Sequence, residues 1–149
     1  MVNKIHVYFA VFDFGSDPTI VTKLVGIEPT QSWVKGGPMP NHPQIKATHS
    51  RWAIHSPLAY SAGVEKHLEA LLPILESHAT GIHRATAQYR AAICCAIYFE
   101  DFNPSIVISE SIVSRIAKLG LSIEFDLYFL GVDESETHPA QQGVKPTTS

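Results

Sequence analysis

Two stretches constrain the fold more than any others: Ile5-His6-Val7-Tyr8-Phe9-Ala10-Val11-Phe12 and, late in the chain, Tyr89 to Phe99. Each is long enough to cross a sheet, and each is apolar at even and odd positions alike. Successive side chains of a strand point to opposite faces, so such a run needs cover on both sides. Both are therefore expected to be central strands. The second is rich in alanine and carries Cys94 and Cys95, small residues that let helices pack closely.

Punctuation residues place the remaining elements. Asp17 reads as an N-cap with Pro18 at the first helical position, where a missing N–H costs nothing. Ile20, Val21, Leu24 and Val25 form an apolar stripe that Gly26 ends as a left-handed C-cap. A short strand is expected from Gln31 to Lys35, and Arg51-Trp52-Ala53-Ile54-His55 reads as the returning strand of a wide hairpin. Between them Gly36, Gly37, Pro38, Pro40, Asn41, His42 and Pro43 predict a long loop without regular structure. Ser61 is the expected cap of the longest helix, with Val64, Leu68, Leu71, Leu72 and Leu75 facing the core. Pro73 interrupts that stripe, which predicts a kink or a close restart. Ile106-Val107-Ile108 suggests a short edge strand. Ser109 then caps a last helix facing inward with Ile112, Val113, Ile116 and Leu119, and the final strand runs from Leu121 to about Leu130.

The resulting order, β-α-β-β-α-β-(β)-α-β, predicts an α+β fold. A single mixed, largely antiparallel sheet would carry about three helices on one face. Residues 1–131 form one domain in this reading, and the polar stretch 132–149 is read as a disordered tail.

Composition narrows the function classes. A chain of 149 residues with 45% hydrophobic and 17% charged residues buries a real core. The net charge of -3 and the absence of a lysine or arginine block argue against nucleic acid as a partner. No apolar run is long enough to cross a bilayer, so no membrane partner is expected. The opening segment reads as a strand rather than a signal peptide. Together with two thiols expected to stay reduced, this points to a cytoplasmic location.

One combination of motifs is familiar. Leu24-Val25-Gly26-Ile27-Glu28-Pro29-Thr30, then Trp33 and Lys35-Gly36, Trp52, and the helix through His67-Leu68 and Leu71-Leu72 resemble domain-of-unknown-function family 4279. Leu119-Gly120 and the closing Phe125-Asp126-Leu127-Tyr128 agree with it. The resemblance covers roughly Val7 to Tyr128. It implies a small, mostly bacterial protein of one domain, and it carries no catalytic residue with it, since the family has no established activity. The loop after Lys35-Gly36 departs from the family pattern in its extra prolines and its missing acidic residue.

Candidate functional residues fall into two groups. Trp33, Lys35, Arg51 and Trp52, with the loop they flank, form the first; tryptophan and arginine combine apolar area with directional donors, as binding hot spots require. Glu124, Asp126 and Tyr128 form the second, on one face of the last strand, and either carboxylate has Arg90 or Arg51 as a potential partner. Eight histidines invite a metal site, but no H-x-H, H-x-x-x-H or H-E-x-x-H spacing supports one. No nucleophile elbow, phosphate-binding glycine loop or activated cysteine occurs, so no metal, cofactor or catalytic set is expected.

The reading that follows is a non-enzymatic module that binds a protein partner, of the kind an immunity protein or antitoxin represents. The alternative is a small enzyme or ligand-binding protein, with Arg51, His55, Glu124 and Asp126 converging between the sheet and the 36–50 loop. A homodimer through an exposed edge strand is a further expectation.

Overall fold

A computed structural model describes residues 3–100 and 105–131 of the chain. Its elements, in order, are β1 (Lys4–Phe12), α1 (Thr19–Val25), β2 (Gln31–Trp33), β3 (Pro38–Met39), β4 (His42–Lys46), β5 (Arg51–His55), α2 (Val64–Glu76), α3 (Ala79–Gln88), β6 (Arg90–Phe99), α4 (Glu110–Lys118) and β7 (Ser122–Phe129). Five strands form one sheet in the order β2-β5-β1-β6-β7. β6 and β7 run parallel, and the other neighbours are antiparallel. The fold is thus α+β with a mixed, largely antiparallel sheet.

β1 sits in the middle, as its two-sided apolar pattern requires. Its odd residues Ile5, Val7, Phe9 and Val11 join Trp52, Ile54, Ile93, Cys95 and Ile97 in a core closed by Leu68, Leu71, Leu72, Leu75 and Ile82 of the helices. Its even residues Tyr8, Ala10 and Phe12 form a second, smaller cluster with Ala53, Ala92 and Cys94. The helices cover the first face only, so the second cluster must be closed by the sheet's own side chains.

Local signals explain most helix ends. Asp17 Oδ1 accepts from the Thr19 N–H at 3.0 Å and from its hydroxyl at 2.7 Å. Gly26 takes φ +91°, and its N–H reaches the Thr22 carbonyl. Ser109 Oγ accepts from the Ile112 N–H at 3.4 Å, as a cap should. Ser61 does not cap α2. That helix begins two residues later, after Gly63, without a side-chain cap.

Three further expectations are corrected. The kink or restart expected at Pro73 falls later: α2 runs through Pro73 to Glu76, and the break comes at Ser77–His78, before α3 restarts at Ala79. Interior proline costs about 3 kcal/mol, but Leu68, Leu71, Leu72 and Leu75 are buried on either side of it. Each contributes roughly 1.5–3 kcal/mol, so burial wins. The described residues hold four helices, where about three were expected. The second correction concerns the loop, which holds a small antiparallel pair, β3 with β4, despite Pro38 and Pro43. A two-stranded ribbon leaves each strand one unpaired edge, where proline is tolerated. In the third, Ile106-Val107-Ile108 forms no strand. Ile106 and Ile108 pack on the core as an irregular lead into α4, while Val107 faces solvent. The Asn103-Pro104 break and the tail 132–149 lie outside the described residues.

The helical layer is held together by specific contacts. Arg115 of α4 grips Glu76 of α2 through two hydrogen bonds, of 2.8 and 2.7 Å. α3 crosses α1 at Gly81, where an added Cβ would collide with the Val25 carbonyl. Trp52 is fully buried beneath α1, edge-on to Phe9, and donates its indole N–H to Thr22 Oγ1 at 2.9 Å. Trp52→Ala should remove about 3–5 kcal/mol of stability, measured by denaturant unfolding; a loss under 1 kcal/mol would contradict its place in the core.

Candidate functional site

The helix-free face of the sheet carries the site. On this face the small residues Ala10, Ala53, Ala92 and Cys94 of neighbouring strands pack beside the site, and Ala96 of β6 is the small residue that lines it. Around them lie long side chains from the same face. Arg51 stretches across from β5, and its guanidinium sits 4.3 Å from the ring centre of Trp33 and 4.4 Å from that of Tyr8. Its Nη1 donates to the Tyr8 hydroxyl at 3.0 Å. Arg51 faces Trp33 directly because β2 and β5 pair them in register. Such a cation between two rings gains roughly 0.5–2 kcal/mol per aromatic contact.

A second aromatic wall faces this clamp. His6 stacks on Tyr60 with ring centres 4.1 Å apart and meets the edge of Tyr98 at 5.6 Å. Tyr98 in turn stacks on Tyr128 at 4.6 Å, as the parallel register of β6 and β7 dictates. The tip of the β3–β4 hairpin, Met39 to His42, closes the third side. Together they enclose a cleft of about 320 Å³, which His55 and Asp126 also line.

The electrostatics of the cleft are uneven. Arg51 makes no ion pair among the described residues, and its Nε is shielded and unpartnered. Burial pushes the Tyr8 hydroxyl up to about 12, with the Arg51 charge pulling the other way, so Tyr8 stays protonated. Burial also holds His55 below the usual imidazole range, helped by Arg51 and then His6. His6 is lowered by burial first and by Lys4 second. Behind the sheet, His67 of α2 is buried with Nδ1 2.7 Å from Ser56 Oγ and Nε2 unpartnered; burial and then His6 lower it as well. The cleft thus presents one permanent cation, the His6 and His55 rings that burial makes harder to protonate, and the Asp126 side chain at its rim.

Five of the eight sequence candidates meet here: Trp33, Arg51, His55, Asp126 and Tyr128. Three do not. Trp52 points to the opposite face, into the core, because it neighbours Arg51 along the strand. Lys35 borders a separate surface hollow with Asp13, Gly15 and Ser50. Glu124 is held by Arg90 at 3.0 Å, outside the cleft. His6, Tyr8, Tyr60 and Tyr98 belong to the site without having been sequence candidates. The available signal was the even register of β1 and β6, which places His6, Tyr8 and Tyr98 on the face that holds Arg51.

Among the described residues no three His, Cys, Asp or Glu side chains converge to hold a metal ion. Cys94 lies in the small cluster of the same face with its thiol pushed up to about 11 by burial, which keeps it protonated and unreactive. No described helix is long and apolar enough to cross a membrane.

The family model described as "Domain of unknown function (DUF4279)" matches residues 3–130. The chain belongs to this family. The match spans the whole sheet, so every residue of the cleft lies within the DUF4279 domain. No curated protein matches the chain, and neither does any solved structure.

The three lowered histidines give the DUF4279 domain a pH dependence of defined sign. Unfolded histidine takes up a proton near pH 6.5, whereas His6, His55 and His67 in the folded domain resist doing so. The unfolded state therefore binds more protons as pH falls, and stability falls with it. The melting temperature should drop between pH 7 and pH 5, with a shallower slope in His67→Gln; a flat wild-type profile would contradict the assignment.

Proposed function

We propose that this protein is a non-enzymatic binding module that holds a protein partner on the helix-free face of its sheet. The observation that carries this reading is the Arg51 guanidinium, without an ion pair among the described residues and clamped between Trp33 and Tyr8 at the mouth of an aromatic cleft. Interfaces concentrate their binding energy in residues of these types, set in a pocket that excludes water. The clamp also fixes Arg51 before a partner arrives, so little side-chain entropy is lost on binding. Exposed Tyr60 and Tyr128 extend the surface beyond the cleft. Within this reading the cleft receives one anchoring side chain of the partner.

An immunity or antitoxin role is the specific form we favour. The chain's net charge of -3 and the rim carboxylate of Asp126 suit a basic partner, as toxic nucleases tend to be. A cytoplasmic site of action goes with it. The rival reading, a small-ligand protein, draws on the cleft's volume of about 320 Å³, which is at the lower end for ligand pockets.

Capture from a lysate of the source organism, run in parallel with wild type and surface variants, separates these readings. A protein retained by wild type should bind at least tenfold more weakly to Arg51→Ala and to Trp33→Ala, a loss of about 1.4 kcal/mol, with unchanged circular dichroism. Equal retention by wild type and both variants would remove this face from consideration. Absence of any captured protein, with a thermal shift from a small-molecule panel that Arg51→Ala abolishes, would favour the ligand reading.

A further inference from the structure

β7 ends the sheet: one edge pairs with β6, and nothing among the described residues bonds to the other. An open edge of eight residues is a template for another strand, and proteins commonly blunt such edges or pair them. This edge is also greasy on the helix side. Phe125, Leu127 and Phe129 are 40%, 57% and 51% exposed. They alternate with Glu124, Asp126 and Tyr128 on the cleft side.

We propose that two copies of the protein pair their β7 strands antiparallel about a two-fold axis at Leu127, joining two sheets into one. The argument is one of register. In a two-fold pair, residues that face each other share a side of the sheet, so only alternate registers are allowed. Four of these pair at least five residues of Ser122–Phe129 in each copy, and they centre on residues 124, 125, 126 or 127. Centring on Glu124 or Asp126 sets that carboxylate against its own copy. Centring on Phe125 sets Glu124 against Asp126. Like charges directly opposite destabilise a strand pair.

Centring on Leu127 avoids every such clash. It sets Leu127 against itself, Phe125 against Phe129, and Asp126 against the partner's Tyr128. The carboxylates thus disfavour three registers and favour one, and in that one the three exposed apolar residues of each copy cover each other. The choice of a second copy follows from this self-match, since in that register each copy's Phe125, Leu127 and Phe129 cover those of the other and no carboxylate faces a carboxylate. Because Asp126 and Tyr128 also line the cleft, the partner copy would extend each cleft across the seam. The pairing does not depend on the proposed partner-binding role.

Sedimentation equilibrium of the full chain, with cysteine cross-linking, tests this pairing. The apparent mass should rise with concentration toward twice the 16.4 kDa of one chain. Leu127→Lys should hold it at one chain with unchanged circular dichroism. Facing residues in an antiparallel pair have Cα atoms about 4.5–5.5 Å apart, within disulfide reach, and native Cys94 and Cys95 are buried. Under mild oxidation Leu127→Cys should give a covalent dimer, and Phe125→Cys and Asp126→Cys should not. A chain that stays monomeric at every concentration would overturn the proposal. So would cross-linking through position 125 or 126 in place of 127. A monomer destabilised by Leu127→Lys would instead assign the edge to another segment of the same chain, and would overturn it too.

Discussion

The structure depends on β1 being hydrogen-bonded along both of its edges, to β5 on one side and β6 on the other. A strand in that position can leave no backbone polar group to solvent and must have both side-chain faces covered. Ile5, Val7, Phe9 and Val11 answer one demand by joining a core that the helices close with valines of α1, leucines of α2 and isoleucines of α3 and α4. The other demand is met without helices. Tyr8 and Phe12 bend over alanines of the neighbouring strands, and arginines complete the layer: Arg51 lies against Tyr8, and Arg90 sits 3.9 Å over the Phe12 ring.

This two-sided economy explains why a candidate site exists at all. A face closed by helices is filled to the density of a crystal. A face closed by side chains of unequal length leaves relief. Long residues stand around the short Ala96, so the cleft follows from residue size on adjacent strands. Its chemistry follows from the same arrangement. Burial that suffices to cover Tyr8 and His55 also keeps them neutral, and so Arg51 dominates the field inside.

Much of this was legible in the sequence, and the exceptions have physical causes. Period-two and helical patterns, with glycine and aspartate punctuation, placed β1, α1, β5, β6, α4 and β7 within a residue or two. Proline positions were read less well: the leucine stripe carried α2 through Pro73 and moved the expected restart to Ala79, and an isolated ribbon accommodated Pro38 and Pro43, which were read as excluding regular structure. Pairing is harder to see than periodicity. Trp33, Arg51, His55, Asp126 and Tyr128 were visible as candidates because their residue types stand out in short strands. Tyr8 and Tyr98 were hidden because a central strand makes any aromatic look like core, and the order β2-β5-β1-β6-β7 is a long-range property. Trp52 was misassigned for the opposite reason, since only strand parity separates it from Arg51.

The small hairpin beside the cleft has its own implication. Its tip lines the cleft, and its two legs are tied to each other at the base, by Gly36 N–H to the Ala47 carbonyl and Ala47 N–H to the Gly37 carbonyl, each 2.8 Å. Ala47 is the one buried residue of the segment between Lys35 and His49. Residues Met39 to Lys46 can therefore drift in evolution with little penalty to folding, while the jaw they form changes shape. In a family built on this plan, recognition and stability are inherited through separate parts of the chain, and diversity should gather in that ribbon.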